Sequence, residues 1–325
     1  MMVHRRRFLQ LATCIAAAPV LPCASYANDY PTRPVRILVG FAPGGAADVV
    51  ARLIGHELSS RTGQHFVIEN RQGAGTNIAT EAVIHAAPDG YTLLLITGAN
   101  ANNATLYDNL NFNFIRDITP ISMIDETPLV VAVNPSLPAA TVSDFIAYAK
   151  ANPGKTSMGS GGNGSPIHMA EELFMMMTGT DMVHVPYRGE APALTDLLGG
   201  RVQTVFGSIA ATAGYVKSGK LRALAVTTSA RSEVLPDIPT VAEFVPGYEA
   251  SAWHGIGGPK KMPAEIVVKL NAEINAALSS AATRSSLANL GSRVVVGSPA
   301  DFGNFITRET DKWAKVIKFA GIKAD

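Results

Sequence analysis

Two glycine-rich segments contain the residue types that best suit the binding of an anion. The first runs Phe41, Ala42, Pro43, Gly44, Gly45, Ala46, Ala47, Asp48, and the second Ser160, Gly161, Gly162, Asn163, Gly164, Ser165, Pro166, Ile167, His168. Each lies between a short apolar run and a longer amphipathic stretch, which is the pattern of a strand followed by a helix. Glycines at such a junction leave backbone N–H groups uncovered at the positive end of the helix dipole. Each segment is therefore predicted to supply half of a carboxylate site.

Four residues in these segments are also predicted to have local structural roles. Asp48 falls in the first turn of its predicted helix, where an acid caps the helix start; a carboxylate ligand could contact it only through a water, a hydroxyl or an ammonium group. Ser165 and Pro166 are predicted to be the N-cap and the first residue of the next helix. His168 follows about one turn in, where it could donate to a ligand carboxylate or bond a neighbouring loop. The residues alone leave the roles of Asp48 and His168 open.

Signatures of catalysis are missing from the sequence. No serine has G-x-S-x-G around it, and H-E-x-x-H does not occur. Gly159, Gly161 and Gly164 fit G-x-G-x-x-G, but Arg188 follows the next apolar run where a dinucleotide fold needs an acid. His168 and Glu172 are spaced as two metal ligands with no evident third. We expect no metal, no cofactor and no enzymatic activity; the alternatives are an exported α/β hydrolase or nucleotide-dependent oxidoreductase, and a ligand sensor for a signalling partner.

The order of apolar runs predicts an α/β fold with mixed, mostly parallel sheets and helices on both faces. Val35–Val39, Leu129–Val133 and Ser251–Gly257 are predicted strands, and the residues from Pro299 to about Phe319 a final helix. The succession of strand, glycine-rich loop and helix occurs twice. Because ligands bind at the carboxyl ends of strands in open α/β sheets, two such units could face each other across one crevice.

The N-terminus has the layout of a secretory signal peptide over residues 1–27. Arg5–Arg7 precede an apolar stretch, Phe8–Ala18, and small residues stand before a cut at Asn28. The arginines fit a twin-arginine signal and an ordinary Sec signal equally well. Either predicts a periplasmic protein. Both cysteines, Cys14 and Cys23, lie inside this segment, so the mature chain would contain no thiol.

Composition agrees with an exported globular protein and argues against binding to nucleic acid. The chain has 325 residues, 47% of them hydrophobic and 16% charged, which suits two domains of ordinary size. Of its 27 basic residues three are Arg5–Arg7, which leaves 24 against 26 acidic ones. A body close to neutral offers no basic surface to a nucleic acid.

Motifs along the whole mature chain resemble the Bug family of periplasmic solute receptors, the binding subunits of tripartite tricarboxylate transporters. Beside the two glycine-rich segments, the resemblance rests on these stretches: Pro34–Ile37, Ile68–Arg71 with Gly73–Gly75, Ala87–Leu94, His184–Gly189, Ala193–Gly200, Lys220–Thr227, Leu235–Val241 and Leu270–Asn275. Each motif is weak alone, and their order together is specific. One departure stands out, because many relatives carry Asp-Asn where this chain has Gly207-Ser208.

The resemblance implies a two-lobed Venus flytrap fold with a ligand carboxylate held in the cleft. The lobes would be residues 28–128 plus 251–325 and residues 129–250. The expected partners are a small organic acid and the membrane subunits of a tripartite tricarboxylate-type transporter, and we expect a monomer. The expected ligand-binding residues are Phe41, Ala42, Pro43, Gly44, Gly45, Asp48, Thr97, Asn100, Ser160, Gly161, Asn163, Gly164, Ser165, His168, Tyr187, Gly207 and Ser208.

Overall fold

The computed structural model describes residues 29–41, 43–187 and 189–323. The chain divides into an N-terminal unit, residues 1–30, and one large unit, residues 31–325. The predicted signal peptide with Cys14 and Cys23 lies outside the described residues, as do Ala42 and Arg188.

Strands and helices alternate through most of the large unit. Its strands are β1 Val35–Val39, β2 Phe66–Asn70, β3 Thr92–Thr97, β4 Ile118–Val133, β5 Ser157–Ser160, β6 Val183–Pro186, β7 Thr204–Ser208, β8 Arg222–Val226, β9 Ser251–Pro259 and β10 Arg293–Val294. Its helices are α1 Ala46–Thr62, α2 Asn77–Ile84, α3 Gly98–Leu106, α4 Phe114–Asp117, α5 Val142–Ala151, α6 Pro166–Thr178, α7 Glu190–Leu198, α8 Ile209–Lys217, α9 Ala264–Leu278, α10 Ala281–Asn289 and α11 Pro299–Ala320.

The strands form one mixed sheet in the order β2-β1-β3-β9-β4-β7-β5-β6, with β8 and β10 also paired to β4. Pairing is parallel at both outer ends, within β2-β1-β3 and within β7-β5-β6. It is antiparallel around β4 and β9. The apolar runs of β1 and β3 are almost entirely buried, as parallel strands covered on both faces require. The predicted α/β class is confirmed.

Strand β4 connects the two halves of the sheet. Residues 118–128 pair with β9, and residues 129–133 pair with β7. The predicted strand Leu129–Val133 is therefore the second part of a strand of 16 residues. The predicted strand at Ser251–Gly257 is confirmed as β9.

Two clusters of buried apolar side chains lie on the two halves of the sheet. One gathers Leu38, Leu94 and Trp253 with Phe302 of α11. The other gathers the second part of β4 with α5, α6 and β7, and it also contains Trp313 and Ile317 of α11. Helix α11 thus packs against both halves, and the division into lobes, with residues 251–325 in the first, stays a prediction. Along the described residues, no helix combines the length and apolarity needed to cross a membrane.

Candidate functional site

The first glycine-rich segment connects β1 to α1, as predicted. Gly45 is the N-cap of α1 in extended backbone (φ −78°, ψ 169°), and it supplies no side-chain cap. The N–H groups of the first helical turn have no partner within the helix, so they are available to an anion. Beside them, the carbonyl of Phe41 accepts a hydrogen bond of 3.0 Å from Asn70 Nδ2. Pro43 lies in the turn between Phe41 and Gly45.

Asp48 is buried beneath this segment. Its Oδ2 accepts from the Gly44 amide and from Arg52 Nε, both at 2.9 Å, and its Oδ1 accepts from Asn70 Nδ2 at 2.9 Å. Burial raises the pKa of Asp48, but the bonds from Arg52, Gly44 and Asn70 outweigh it and lower the pKa to about 2. Of the two roles left open, the structure shows capping: the carboxylate holds the turn against β2. It also accepts from the Gly44 amide, so that amide is already bonded within the chain.

Thr97 and Asn100 begin α3 at the end of β3. They form a capping box, in which Asn100 Oδ1 accepts from the Thr97 amide at 2.8 Å. Asn100 Nδ2 donates to Thr76 Oγ1 at 3.0 Å and to Thr80 Oγ1 at 2.9 Å. Thr97 and Asn100 are both buried. The two bonds from Asn100 Nδ2 connect α3 to the start of α2.

Thr76 has a left-handed backbone, with φ of 87°, where a β-branched residue is strained. Its side chain lies against Gly40 at the end of β1, where an added Cβ would come within 2.6 Å of Thr76 Cβ. The bond from Asn100 and the missing Cβ of Gly40 therefore fix Thr76 next to the first glycine-rich segment.

The second glycine-rich segment connects β5 to α6. Ser165 is the N-cap, with its hydroxyl accepting from the His168 amide, and Pro166 is the first helical residue, so both predictions are confirmed. Gly162 and Gly164 have positive φ, of 116° and 70°. Only glycine adopts such backbone at little cost.

His168 is buried, and both of its ring nitrogens bond within the chain. Nδ1 accepts from the Gly164 amide at 3.1 Å, and Nε2 lies 3.1 Å from Glu172 Oε1. Since Nδ1 is an acceptor, the ring proton is on Nε2 and is directed to the carboxylate. This is the second role that the residues left open: His168 holds the glycine-rich loop in place.

His184, which sequence reasoning missed as a site residue, stacks on His168. The ring centroids are 3.6 Å apart, and His184 Nε2 lies 2.6 Å from Ser160 Oγ. That hydroxyl also accepts from the Gly162 amide at 3.1 Å. Burial, and then repulsion from His168, lower the pKa of His184 to about 3, so the ring is neutral at physiological pH.

The ends of β6 and β7 meet the second segment at the same edge of the sheet. Tyr187 donates its backbone N–H to the carbonyl of Ser160 at 3.1 Å and its hydroxyl to Asp196 Oδ2 at 2.8 Å. Burial, together with Asp196, raises the pKa of Tyr187 to about 12. A Cβ added to Gly161 would lie 3.7 Å from the amide nitrogen of Glu190. Asn163 belongs to the same loop.

Glu190 is a second residue that sequence reasoning missed. Its carboxylate accepts from the Ser208 amide at 2.5 Å and from the Ser208 hydroxyl at 3.0 and 2.8 Å. Burial raises the pKa of Glu190, and the bonds from Ser208 only partly offset this rise. In the sequence, Glu190 looks like an ordinary acid in the first turn of a helix. Nothing near it indicates that its side chain contacts Ser208.

Helix α3 links the two glycine-rich segments. Asn102 Nδ2 donates to the carbonyl of Gly164 at 3.1 Å, and Leu106 Cδ1 lies 2.4 Å from where a Gly164 Cβ would be. Through Asn100, the same helix bonds Thr76, which packs on Gly40. A continuous series of contacts therefore joins the ends of β1, β3 and β5.

Two surface grooves, of about 590 and 360 Å³, open elsewhere. The larger lies between α10 and residues 228–234, and the smaller lies between α4 and α11. Several charged residues of the larger groove are already paired, as in the bond from Arg293 to Glu126. Among the described residues there is no group of three or more His, Cys, Asp or Glu side chains that could hold a metal ion.

Comparison with curated proteins finds relatives along almost the whole chain. Protein BugT of Bordetella pertussis is 38% identical over 316 residues, which cover 96% of this chain and 95% of BugT. A protein from the ttuE–ttuC' intergenic region of Agrobacterium vitis is 37% identical over 312 residues, 94% of this chain and 90% of the relative.

Solved structures show the same fold. A protein of R. palustris, solved with adipate, is 39% identical with a TM-score of 0.82 and covers 90% of this chain and 99% of its own. MatC from Rhodopseudomonas palustris, solved with bound malate, is 32% identical with a TM-score of 0.79, covering 89% of this chain and all of its own. The periplasmic binding protein BugD is 32% identical with a TM-score of 0.79, and the match covers 90% of this chain and 99% of BugD. The fold is that of periplasmic solute-binding proteins, as predicted.

The match to a protein family extends from residue 50 to residue 322 and agrees with the relatives and the solved structures. The chain belongs to the TctC family, the receptors of the tripartite tricarboxylate transporter family.

Proposed function

We propose that this protein is a periplasmic receptor that captures a small carboxylate-bearing solute and presents it to the membrane subunits of a tripartite tricarboxylate-type transporter. One observation carries the site: α3 joins the two glycine-rich helix starts through Asn102 and Gly164 on one side and Asn100 and Thr76 on the other. These contacts connect the start of α1 with the start of α6. An anion is favoured at a helix N-terminus, so the two starts can act on one ligand.

Family relationship supports the class of ligand. A relative with 39% identity was solved with adipate and one with 32% identity with malate, and both ligands are carboxylates. We propose that one carboxylate of the solute binds the amides that begin α1 at Gly45 together with amides of the second glycine-rich segment other than those of Gly162 and Gly164, which bond Ser160 and His168. Asp48, Asn100 and His168 then act behind the ligand, because their polar atoms hold the turns that present these amides.

Two lobes joined at β4 and β9 would close around the solute by hinge motion. We place residues 129–250 in one lobe and residues 28–128 with residues 251–325 in the other. The signal peptide at residues 1–27 would send the protein to the periplasm, and the mature receptor would act as a monomer.

Thermal-shift and calorimetric titration of the protein purified from the periplasm test the ligand class. Dicarboxylates, tricarboxylates, aromatic acids and amino acids are compared with nucleotides as the control. A true ligand at a hundredfold excess over its Kd stabilises the fold by about 2.7 kcal/mol, so its effect on the melting temperature is easily measured. A nucleotide that stabilises the protein where no organic acid does would refute the proposal.

Capture from solubilised membranes tests the partner. The ligand-loaded, tagged protein should retain the membrane subunits of a tripartite transporter, and the ligand-free protein should retain less of them. Retention of a signalling protein in their place would identify a sensor that uses the same pocket.

A further inference from the structure

Glu190 places a negative charge at the edge of the proposed site. It is the first residue of α7, and its carboxylate reaches Ser208, the N-cap of α8, through three hydrogen-bond contacts. The Ser208 hydroxyl also accepts from the Ala211 amide at 3.4 Å, so its own proton is free to point to Glu190. The acid therefore lies at the positive end of α8, where an anion is stabilised.

The surrounding backbone is shaped to this carboxylate. A Cβ on Gly207 would come within 2.9 Å of Glu190 Oε1 and 2.6 Å of Thr212 Cγ2. A side chain at position 207 would therefore clash with the carboxylate of Glu190 in its present position. On the other side, Gly161 of the second glycine-rich segment lies against the Glu190 amide.

Among the residues that the structure describes, the donors to this carboxylate belong to Ser208, which is neutral, and no lysine or arginine forms an ion pair with Glu190. A second anion brought to this edge would meet a like charge, which is costly where water is partly excluded. A hydroxyl, amide or ammonium group would gain a charge-assisted hydrogen bond at the same place.

We infer that Glu190 determines which solutes the site accepts: a carboxylate at one end, bound by the glycine-rich segments, and a hydrogen-bond donor rather than a second carboxylate at the other. The inference rests on the proposed function and narrows its ligand class to hydroxy, amino or amide acids. Glu190 acts on the far end of the solute and takes no part in anchoring the first carboxylate.

Matched acids of equal chain length test this selectivity by calorimetry at pH 8.0, because burial raises the pKa of the Glu190 carboxyl and an alkaline buffer favours its ionised form. For each length from four to seven carbons, the dicarboxylate is compared with the ω-hydroxy and the ω-amino acid. The wild-type protein should bind the best donor-bearing acid at least about tenfold more tightly than the dicarboxylate of the same length. This ratio is expected because the donor-bearing acid avoids one like-charge contact.

The variant Glu190→Gln keeps an acceptor for the Ser208 amide and removes the charge, so this ratio should fall to below about threefold. Glu265→Gln is the control, because Glu265 is an exposed acid in the first turn of α9; its ratio should equal that of the wild type. If Glu190→Gln does not fold, Glu190→Ala serves for the same comparison.

Equal affinity of the wild type for both kinds of acid, or an unchanged ratio in the Glu190 variants, would overturn the inference and leave the receptor function standing. Failure of every carboxylate to bind the wild type would instead remove the proposed function itself.

Discussion

The imidazole rings of His168 and His184 stack almost in parallel, with 3.6 Å between centroids and 6° between planes. Each ring also bonds the second glycine-rich segment, His168 through the Gly164 amide and His184 through Ser160 Oγ. A proton on either ring would place a positive charge against the other. The conformation of this glycine-rich segment is therefore coupled to the packing of the two rings and to the neutrality of His184.

Acid should destabilise the protein through His184. Its pKa is lowered from 6.5 to about 3 in the fold, so between these values the unfolded chain binds a proton that the native state does not. Stability therefore falls as pH drops below 6.5, by on the order of 2 kcal/mol at pH 4 after allowance for partial exposure. Urea unfolding of His184→Gln from pH 7 to 4 should give a flatter profile than the wild type.

The exposed His85 at the end of α2 provides the control for this prediction. His85→Gln should keep the slope of the wild-type profile. A His184→Gln profile as steep as that of the wild type would show that other groups cause the acid sensitivity.

Local chemistry in the sequence predicted the elements that carry the site. Ser165 with Pro166 begins α6, and the glycine-rich turns follow β1 and β5, because capping and turn formation depend on residues only a few positions apart. The first part of β4 was missed, since Pro120, Glu126 and Pro128 interrupt its apolar pattern. Those residues are tolerated in a strand whose pairing with β9 shifts register twice.

Contacts between distant residues could not be predicted in this way. His168 and His184 are 16 positions apart, and Glu190 reaches Ser208 across a helix and a strand. No local pattern encodes such a meeting, because it depends on how β5, β6 and β7 align in the sheet. Gly207 and Ser208 were singled out in the sequence, but their relation to Glu190 was not.

Removing the charge of Asp48 should destabilise the start of α1. The pKa of this buried carboxyl is lowered from 3.8 to about 2, which corresponds to about 2 kcal/mol of stability at neutral pH. That contribution is present above pH 3.8 and is lost as pH falls through 2. Asp48→Asn should therefore unfold at lower urea concentration at pH 7, with the difference shrinking toward pH 2; Asp311→Asn, on the exposed face of α11, should behave as the wild type.

Replacing Glu171 with glutamine should stabilise the protein at alkaline pH. Burial raises the pKa of Glu171 well above its usual value, although the bond from the Phe206 amide lowers it, and Oε2 has no partner among the described residues. A raised folded pKa gives stability below pH 4.5 that is lost as pH rises, because the unfolded chain ionises first. The urea midpoint of Glu171→Gln should exceed that of the wild type more at pH 8 than at pH 5. A gap that narrows with rising pH would contradict the assignment.

A valine in place of Gly45 should weaken ligand binding more than it weakens the fold. The backbone of Gly45 is extended, so a β-branched residue adopts it without strain, while its side chain would stand in front of the first-turn amides of α1. Loss of one charge-assisted hydrogen bond is worth about 1.5–3 kcal/mol, so affinity for the best organic acid should fall about tenfold or more. Calorimetry measures the Kd, and urea unfolding measures the stability of the same variant. Gly214→Val in α8, where a Cβ meets no atom within 4 Å, is the control and should bind normally. Unchanged affinity in Gly45→Val would mean that the turn before α1 serves the fold and that the carboxylate is held elsewhere.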